Sequence, residues 1–287
     1  MRTPPTAGPG RVWFITGAGR GLGRAFARAA LESGDRVVAA TRTVAPLEDL
    51  AAAYEDRLLV LPLDVTDRAA VFAAVARATE RFGRLDVVVN NAGVLSMGMV
   101  EEFTEAEARA QMETNFFGAL WVSQAVLPCL RAQGSGHIVQ ISSIGALGGF
   151  PTTGLYSASK FALEGMSEAL AMEAAGFGVK LTIVEPGGYW TGLYTGMTTT
   201  TPLPDYAPLR AELEKQWAEG SVDSDPRLAA EAVLRLVASD DPPLRLLLGG
   251  TAYDLAFDVS RRRMETWARW EEVSRAAEHA IPAPPDL

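Results

Sequence analysis

Seven short apolar runs recur along the chain, at Val12 to Thr16, Arg36 to Ala40, Leu58 to Leu63, Leu85 to Val89, His137 to Ile141, Val179 to Val184 and Leu244 to Leu248. Between them lie segments with helical spacing, such as Ala25 to Leu31, Arg68 to Phe82 and Arg227 to Ala238. A strand that is apolar on both faces needs cover on both faces, and helices alternating with strands supply it when the strands run parallel. The pattern predicts an α/β protein with one doubly wound parallel sheet of about seven strands. No repeat and no linker divides the chain, so residues 1 to 287 are read as a single domain. Residues 1 to 10 read as a flexible, Pro- and Gly-rich start, and 188 to 225 as a substrate-binding loop containing a short helix from Leu209 to Glu219. Residues 251 to 287 read as an amphipathic helical extension.

Composition removes several function classes. A formal net charge of -9 argues against a nucleic-acid-binding surface, which needs clustered positive charge. Cys129 is the only cysteine, so no internal disulfide forms, and two histidines leave little for a metal site or a Ser-His-Asp triad. His137 reads as a strand-edge residue. No run is long enough to span a membrane and no signal peptide is legible, so a cytoplasmic protein is expected.

The first run leads into Gly17-Ala18-Gly19-Arg20-Gly21-Leu22-Gly23 and then a helix. Glycines let the backbone turn tightly and approach a pyrophosphate, whose charge the helix N-terminus stabilises. Strand, glycine turn and helix in that order predict a dinucleotide cradle in a Rossmann-type sheet. At the end of the second strand of such a sheet, an acid binds a free ribose 2′-hydroxyl and an Arg accepts a 2′-phosphate. Thr41 is not acidic and Arg42 follows it. The expected cofactor is therefore NADP(H), with Arg20 as a second phosphate contact. Asp64 closes the third run, where it either reaches an adenine amino group or caps the next helix; Asp67 is the better cap.

A second stretch, Gly154 to Leu163, opens a helical segment that places Tyr156 and Lys160 at i and i+4 on one face. An ammonium beside a phenol favours the phenolate, drawing a pKa of about 10 toward neutrality. The chain has three lysines, Lys160, Lys180 and Lys215, so the spacing falls on a scarce residue. Ligands of open parallel sheets collect at the carboxyl ends of the strands, which puts Ser142 and Ser143 at the same edge as Gly17, Thr41, Asp64 and Asn90. Thr104 to Phe116 and Gly118 to Ala132 read as two helices or as one helix bent near Asn115. An Asn inside a helix ordinarily points to solvent. Tyr189, Trp190, Leu193, Tyr194, Met197 and Trp217 in the long connection either wall a substrate site or pack in the core. Val94, Leu95, Met97, Met99, Leu147, Phe150 and Leu155 fall near the expected mouth.

Taken in order, these motifs resemble the short-chain dehydrogenase/reductase family over about residues 10 to 250. Thr16-Gly17-(x3)-Gly21-x-Gly23 is similar to its cofactor loop, and Asn90-Asn91-Ala92-Gly93 to its fourth-strand motif. Tyr156-(x3)-Lys160 is similar to its active site, and Pro186-Gly187-(x3)-Thr191 to its nicotinamide-side segment. The resemblance implies hydride transfer between a nicotinamide and a carbonyl or secondary alcohol, with no metal. It implies Tyr156 as proton donor or acceptor, Ser143 as hydrogen-bond partner of the substrate oxygen, and Lys160 as the group that lowers the Tyr156 pKa and binds the nicotinamide ribose. Asn115 would anchor a water chain to Lys160. Cofactor contacts are implied for Gly17, Gly19, Arg20, Gly21, Leu22 and Gly23, for Asp64 and Val65 along the adenine, and for Asn91, Ala92 and Gly93 near its ribose. Pro186, Gly187 and Thr191 would hold the carboxamide. The apolar residues near the mouth suggest an apolar ketone or alcohol substrate, and the family's habit implies a homodimer or homotetramer. An NAD-preferring alcohol dehydrogenase and a non-catalytic NADP-binding regulator are the rival readings. The extension beyond the seventh strand departs from the shortest family members and would pack over the mouth, cover an interface or exclude a tetramer.

Overall fold

In chain order the elements are β1 (Val12–Thr16), α1 (Gly21–Glu32), β2 (Arg36–Thr41), α2 (Glu48–Ala53), β3 (Leu58–Pro62), α3 (Arg68–Phe82), β4 (Val87–Asn90), β5 (Ser96–Met97) and α4 (Glu105–Met112). There follow α5 (Gly118–Gln133), β6 (Gly136–Ile141), α6 (Gly154–Ala175), β7 (Val179–Pro186), β8 (Thr198–Thr199), α7 (Ala207–Gly220), α8 (Pro226–Val237), β9 (Arg245–Leu248), α9 (Gly250–Arg269) and α10 (Glu271–Ala276). This computed structural model describes residues 10–194, 196–220 and 223–279, without the side chains of 217–220. The expected flexible N-terminus to residue 9, the Pro-rich end from 280 and the Trp217 side chain lie outside the described residues.

Among the described residues, seven strands form one sheet in the order β3-β2-β1-β4-β6-β7-β9, with every neighbouring pair parallel. β5 and β8 pair separately, also in parallel. The winding direction reverses between β1 and β4, which opens a crevice beyond their carboxyl ends. Successive residues of a strand face opposite sides, so β1 sends Trp13 and Ile15 into one layer and Val12 and Phe14 into the other. α1 and α8 close the first layer through Phe26, Leu31, Ala230 and Val233. α3, α5 and α6 close the second through Val71, Val75, Val122 and Leu170. None of these residues is more than 7% exposed, and each large apolar side chain so buried contributes about 1.5–3 kcal/mol. Two-sided burial is the reason the strands read as continuous apolar runs.

Three departures from expectation have physical causes. β4 begins at Val87 rather than Leu85, because Leu85 N donates to Gln133 Oε1 at 3.0 Å and Leu85 O accepts from Gln133 Nε2 at 2.6 Å. A side chain there does the work of a neighbouring strand. α4 and α5 are joined by one wide π turn, Glu113–Phe117, so the single bent helix is the observed alternative. Asn115 lies in that turn, 1% exposed and directed inward instead of to solvent.

His137 is the third departure, sitting inside β6 with β4 on one side and β7 on the other. Its Nε2 is 3.0 Å from Thr182 Oγ1, whose hydroxyl donates to Pro243 O at 2.7 Å. With that hydroxyl proton committed, the network assigns the imidazole proton to Nε2. Burial, with smaller contributions from Lys180 and Arg11, pushes the His137 pKa down to about 4. The unfolded imidazole protonates near pH 6.5, so stability is full above that value and is lost as the pH falls toward 4, by up to ~3 kcal/mol. Denaturant unfolding at about pH 7 and about pH 4.5 is expected to show a larger acid loss for the wild type than for His137→Gln. Equal losses would rule out a neutral buried imidazole.

Candidate active site

β1 carries Thr16 to the carboxyl edge of the sheet, where its Oγ1 accepts from both Asn91 N and Ala92 N at 3.0 Å. In return Asn91 Nδ2 donates to the carbonyls of Thr16 at 2.9 Å and Gly17 at 3.2 Å. The ends of β1 and β4 are thereby stitched together at the switch point. Thr16 was legible only as part of the glycine motif, and its signal is a hydroxyl ending an apolar run. The Asn91 amide, expected near a ribose, is engaged in this stitch.

The turn after β1 demands glycine at two places. Gly17 has φ +63°, and a Cβ there would stand 2.9 Å from Ala92 Cα; Gly21 has φ +52°, and its Cβ would stand 2.9 Å from Thr191 Cβ. The second contact lays the segment from Pro186 and Gly187 to Thr191 directly on the glycine loop. α1 starts at Gly21, and its N-cap residue, Arg20, makes no side-chain cap bond. First-turn N–H groups without a side-chain acceptor, at the positive end of a helix, fit a pyrophosphate.

Beyond the ends of β2 and β3, exposed Arg42 lines a cavity of about 350 Å³ with Pro62, Leu63, Asp64, Asp67 and Ala70. Asp67 Oδ1 accepts from Ala70 N at 2.9 Å as the cap of α3. Asp64 Oδ1 accepts from Thr66 N at 3.0 Å and Thr66 Oγ1 at 2.8 Å, so Asp64 holds its own turn. Val65 is buried against Gly118 at the start of α5.

Ser143, Tyr156 and Lys160 converge where the β6 edge meets the first turns of α6. Ser143 Oγ accepts from Gly145 N at 3.0 Å and lies within hydrogen-bond reach of the Tyr156 phenol. Lys160 is 5% exposed; its Nζ donates to Ile141 O at 2.8 Å and stands 5.8 Å from the Tyr156 ring centroid. Desolvation pushes Tyr156 up to about 12 against the opposing Ser143 hydrogen bond, and pushes Lys160 down to about 8 against the pull of Glu164. The i, i+4 pair is in place, with desolvation the first cause acting on each group. Tyr156 is a protonated acid at neutral pH, and Lys160 titrates close to it.

Asn115 fixes this cluster in space. Its Oδ1 accepts from Val94 N at 2.9 Å, and its Nδ2 donates to Val94 O and Ser159 Oγ, both at 3.0 Å. Ser159 Oγ in turn donates to Tyr156 O at 2.7 Å. The π turn aims the amide inward, where it ties the loop after β4 to the active-site helix. Behind Lys160, Ser142 Oγ donates to Glu164 Oε1 at 2.5 Å, and Glu164 and Glu185 each lie 3.2 Å from Arg245. Burial and then the neighbouring Glu164 push Glu185 up to about 7.

The long connection is fastened by Glu102, a residue that sequence reasoning did not single out. Its carboxylate accepts from Met99 N at 2.8 Å, Thr200 Oγ1 at 2.7 Å, Leu203 N at 2.9 Å and the Arg210 guanidinium. The Arg210 guanidinium above all holds Glu102 down to about 2. Of the candidate wall residues, Tyr189 is buried in the core, as are Leu95 and Met99 near the mouth, whereas Trp190, Tyr194 and Phe150 are exposed. Replacing Thr16 with Val strips two N–H groups of their acceptor and is expected to cost ~2–4 kcal/mol in unfolding free energy, with Thr16→Ser close to wild type. Wild-type stability in Thr16→Val would remove the stitch as a structural cause.

Comparison with known proteins places this geometry. The structure of a short-chain dehydrogenase from Streptomyces avermitilis matches with a TM-score of 0.87 at 40% identity, over 93% of this chain and 100% of that one. A short chain dehydrogenase from Burkholderia cenocepacia in complex with NADP matches with a TM-score of 0.72 at 30% identity, over 91% of this chain and 97% of that one. The 3-ketodihydrosphingosine reductase of Bacteroides thetaiotaomicron is 39% identical over 247 residues, 83% of this chain and 88% of the relative. The family model described as short chain dehydrogenase matches residues 11–201, from β1 through the cradle and the active-site helix to β8. A match of that extent, with relatives near 40% identity along most of the chain, makes this protein a member of the short chain dehydrogenase family of oxidoreductases.

Proposed function

We propose that the protein is an NADP(H)-dependent reductase of fairly apolar ketones, acting in the cytoplasm as a homo-oligomer and able to run in reverse on secondary alcohols. The observation that carries this reading is the pairing of Ser143, pinned through its oxygen by Gly145 N, with a Tyr156 phenol that stays protonated. Two O–H donors then converge on one oxygen position. A reduced nicotinamide, when bound, supplies the hydride. As charge grows on the substrate oxygen, Ser143 donates a hydrogen bond to it and Tyr156 passes its proton from Oη to it. Lys160, titrating near 8, returns a proton to Tyr156. The Asn115 side chain holds the π turn, from which a water relay would reach Lys160. The glycine loop and the first turn of α1 would hold the pyrophosphate, and Pro186, Gly187 and Thr191 the carboxamide.

Arg42 supports the preference for NADP(H). It faces the adenosine-side cavity, and the two carboxylates there are already engaged as turn and cap acceptors. The NADP in the Burkholderia relative agrees with this reading. An apolar substrate fits the exposed Trp190, Tyr194 and Phe150, and the Bacteroides relative is named for a ketone of that character. Reduction is the expected direction because cells keep the NADPH pool reduced.

Two measurements test the reading. Tyr156→Phe is expected to lower kcat by ~10²–10⁴ while leaving NADPH binding unchanged, and retained turnover would end the proton-transfer role. Arg42→Ala is expected to raise the NADPH KM by roughly 10- to 100-fold, with little change for NADH. Equal use of the two cofactors by the wild type would remove Arg42 as the 2′-phosphate contact.

A further inference from the structure

Three consecutive residues at the end of β6 meet three residues on one face of α6. Ile141 O accepts from Lys160 Nζ at 2.8 Å, Ser142 Oγ donates to Glu164 Oε1 at 2.5 Å, and Ser143 Oγ lies within hydrogen-bond reach of Tyr156. Tyr156, Lys160 and Glu164 stand at i, i+4 and i+8, one above another along the helix. The first two belong to the reaction proposed above. Glu164, buried on the last rung, has no part in it so far.

A carboxylate inside a fold needs a counter-charge. The Arg245 guanidinium lies 3.2 Å from Glu164 Oε2, but it is shared: it makes a closer contact with exposed Glu168, and its Nε is 3.2 Å from Glu185 Oε1. Burial and then Glu164 push Glu185 up to about 7, so Glu185 is partly protonated at neutral pH. Glu164 and Glu168 then face two cations, Arg245 and Lys160, and Arg245 is engaged by Glu168. Around the same seam, Tyr253 and Arg263 from α9 line the groove behind Glu164, where Arg263 donates to Leu147 O at 2.7 Å, and Tyr194 from the long connection acts on Tyr156. On the other side of Lys160, Gly93 and the Asn115 amide carry no charge. Desolvation lowers the Lys160 pKa, and Glu164 is the group that opposes it.

We propose that Glu164 is the counter-ion of Lys160, a positioning residue that keeps the buried ammonium charged and seated on Ile141 O. This rests on the proton-return role given to Lys160 above. When Lys160 passes an Nζ proton to the Tyr156 phenolate it becomes a neutral amine, and the carboxylate one turn away favours its recapture of a proton from water.

The chain has three lysines, Lys160, Lys180 and Lys215, so full-length protein labelled with carbon-13 at the lysine ε position gives one NMR signal for each, assigned with Lys180→Arg and Lys215→Arg. The wild-type Lys160 signal is expected to titrate near pH 8. In Glu164→Gln, which keeps the length and an acceptor for Ser142, the midpoint is expected to fall by roughly one unit. The same variant is made with Glu185→Gln, so that Glu185 cannot ionise in place of the lost charge. Glu164→Met serves if the Gln variant does not fold, with circular dichroism and NADPH binding as the checks. Glu168→Gln removes a carboxylate from the same guanidinium at the surface and is expected to move Lys160 by no more than ~0.3 units. A Lys160 midpoint unchanged in folded Glu164 variants of both backgrounds, or shifted equally by Glu168→Gln, would overturn the proposal. The titration uses no substrate, so it decides the role of Glu164 whether or not the reductase reading stands.

Discussion

The working edge of the molecule depends on the hydroxyl of Thr16 and the two backbone N–H groups it accepts. Where a doubly wound sheet reverses, β1 and β4 must diverge to leave a crevice, yet their loops must stay close enough to bind one ligand together. Divergence leaves backbone donors with no ladder partner, and buried donors without acceptors are costly. Thr16 Oγ1 satisfies two of them, and the Asn91 amide answers by capping two carbonyls of the first strand and its turn. Gly17 can pack on Ala92, and Thr191 on Gly21, only because that edge is held in register. The cradle is therefore a consequence of how the sheet's polar edge is satisfied.

Burial also shifts the titration of the groups at the same edge. A phenol and an ammonium at i and i+4 suggest a phenolate when only their charges are considered. Inside the fold, desolvation penalises both charged forms, so the acid rises and the base falls. Glu164 works against the fall of Lys160, and is itself held by Ser142 and Arg245. The electrostatics of the pair thus extend through the helix to its far side.

What was legible in the sequence was local or periodic. The strands could be read because two-sided burial forces unbroken apolar runs, and Tyr156 with Lys160 because helical spacing fixes their common face. Asp67 was legible as a cap for the same reason. The start of β4 was not, since Gln133 replaces the strand partner from 48 residues away. The inward turn of Asn115 required a π turn, which no propensity announces. The engagement of Asn91 and the reversed pKa shift of Tyr156 both depend on what surrounds the groups after folding. His137 looked like an edge residue because nothing in its neighbourhood names Thr182 as its partner.

The sheet edge and the long connection are fastened differently. Ser143, Tyr156 and Lys160 are held by the sheet and by side chains inserted between its loops, Thr16 and Asn115 above all. The long connection is held by one carboxylate, Glu102, which gathers donors from Met99, Thr200, Leu203 and Arg210 across about 100 residues of chain. Met99 is buried, whereas Thr200, Leu203 and Arg210 stand outside the seven-stranded sheet, so this clasp is separate from the contacts that hold Ser143, Tyr156 and Lys160. The sheet edge and the long connection are thus held by separate sets of contacts, the first by Thr16, Asn91 and Asn115 and the second by Glu102.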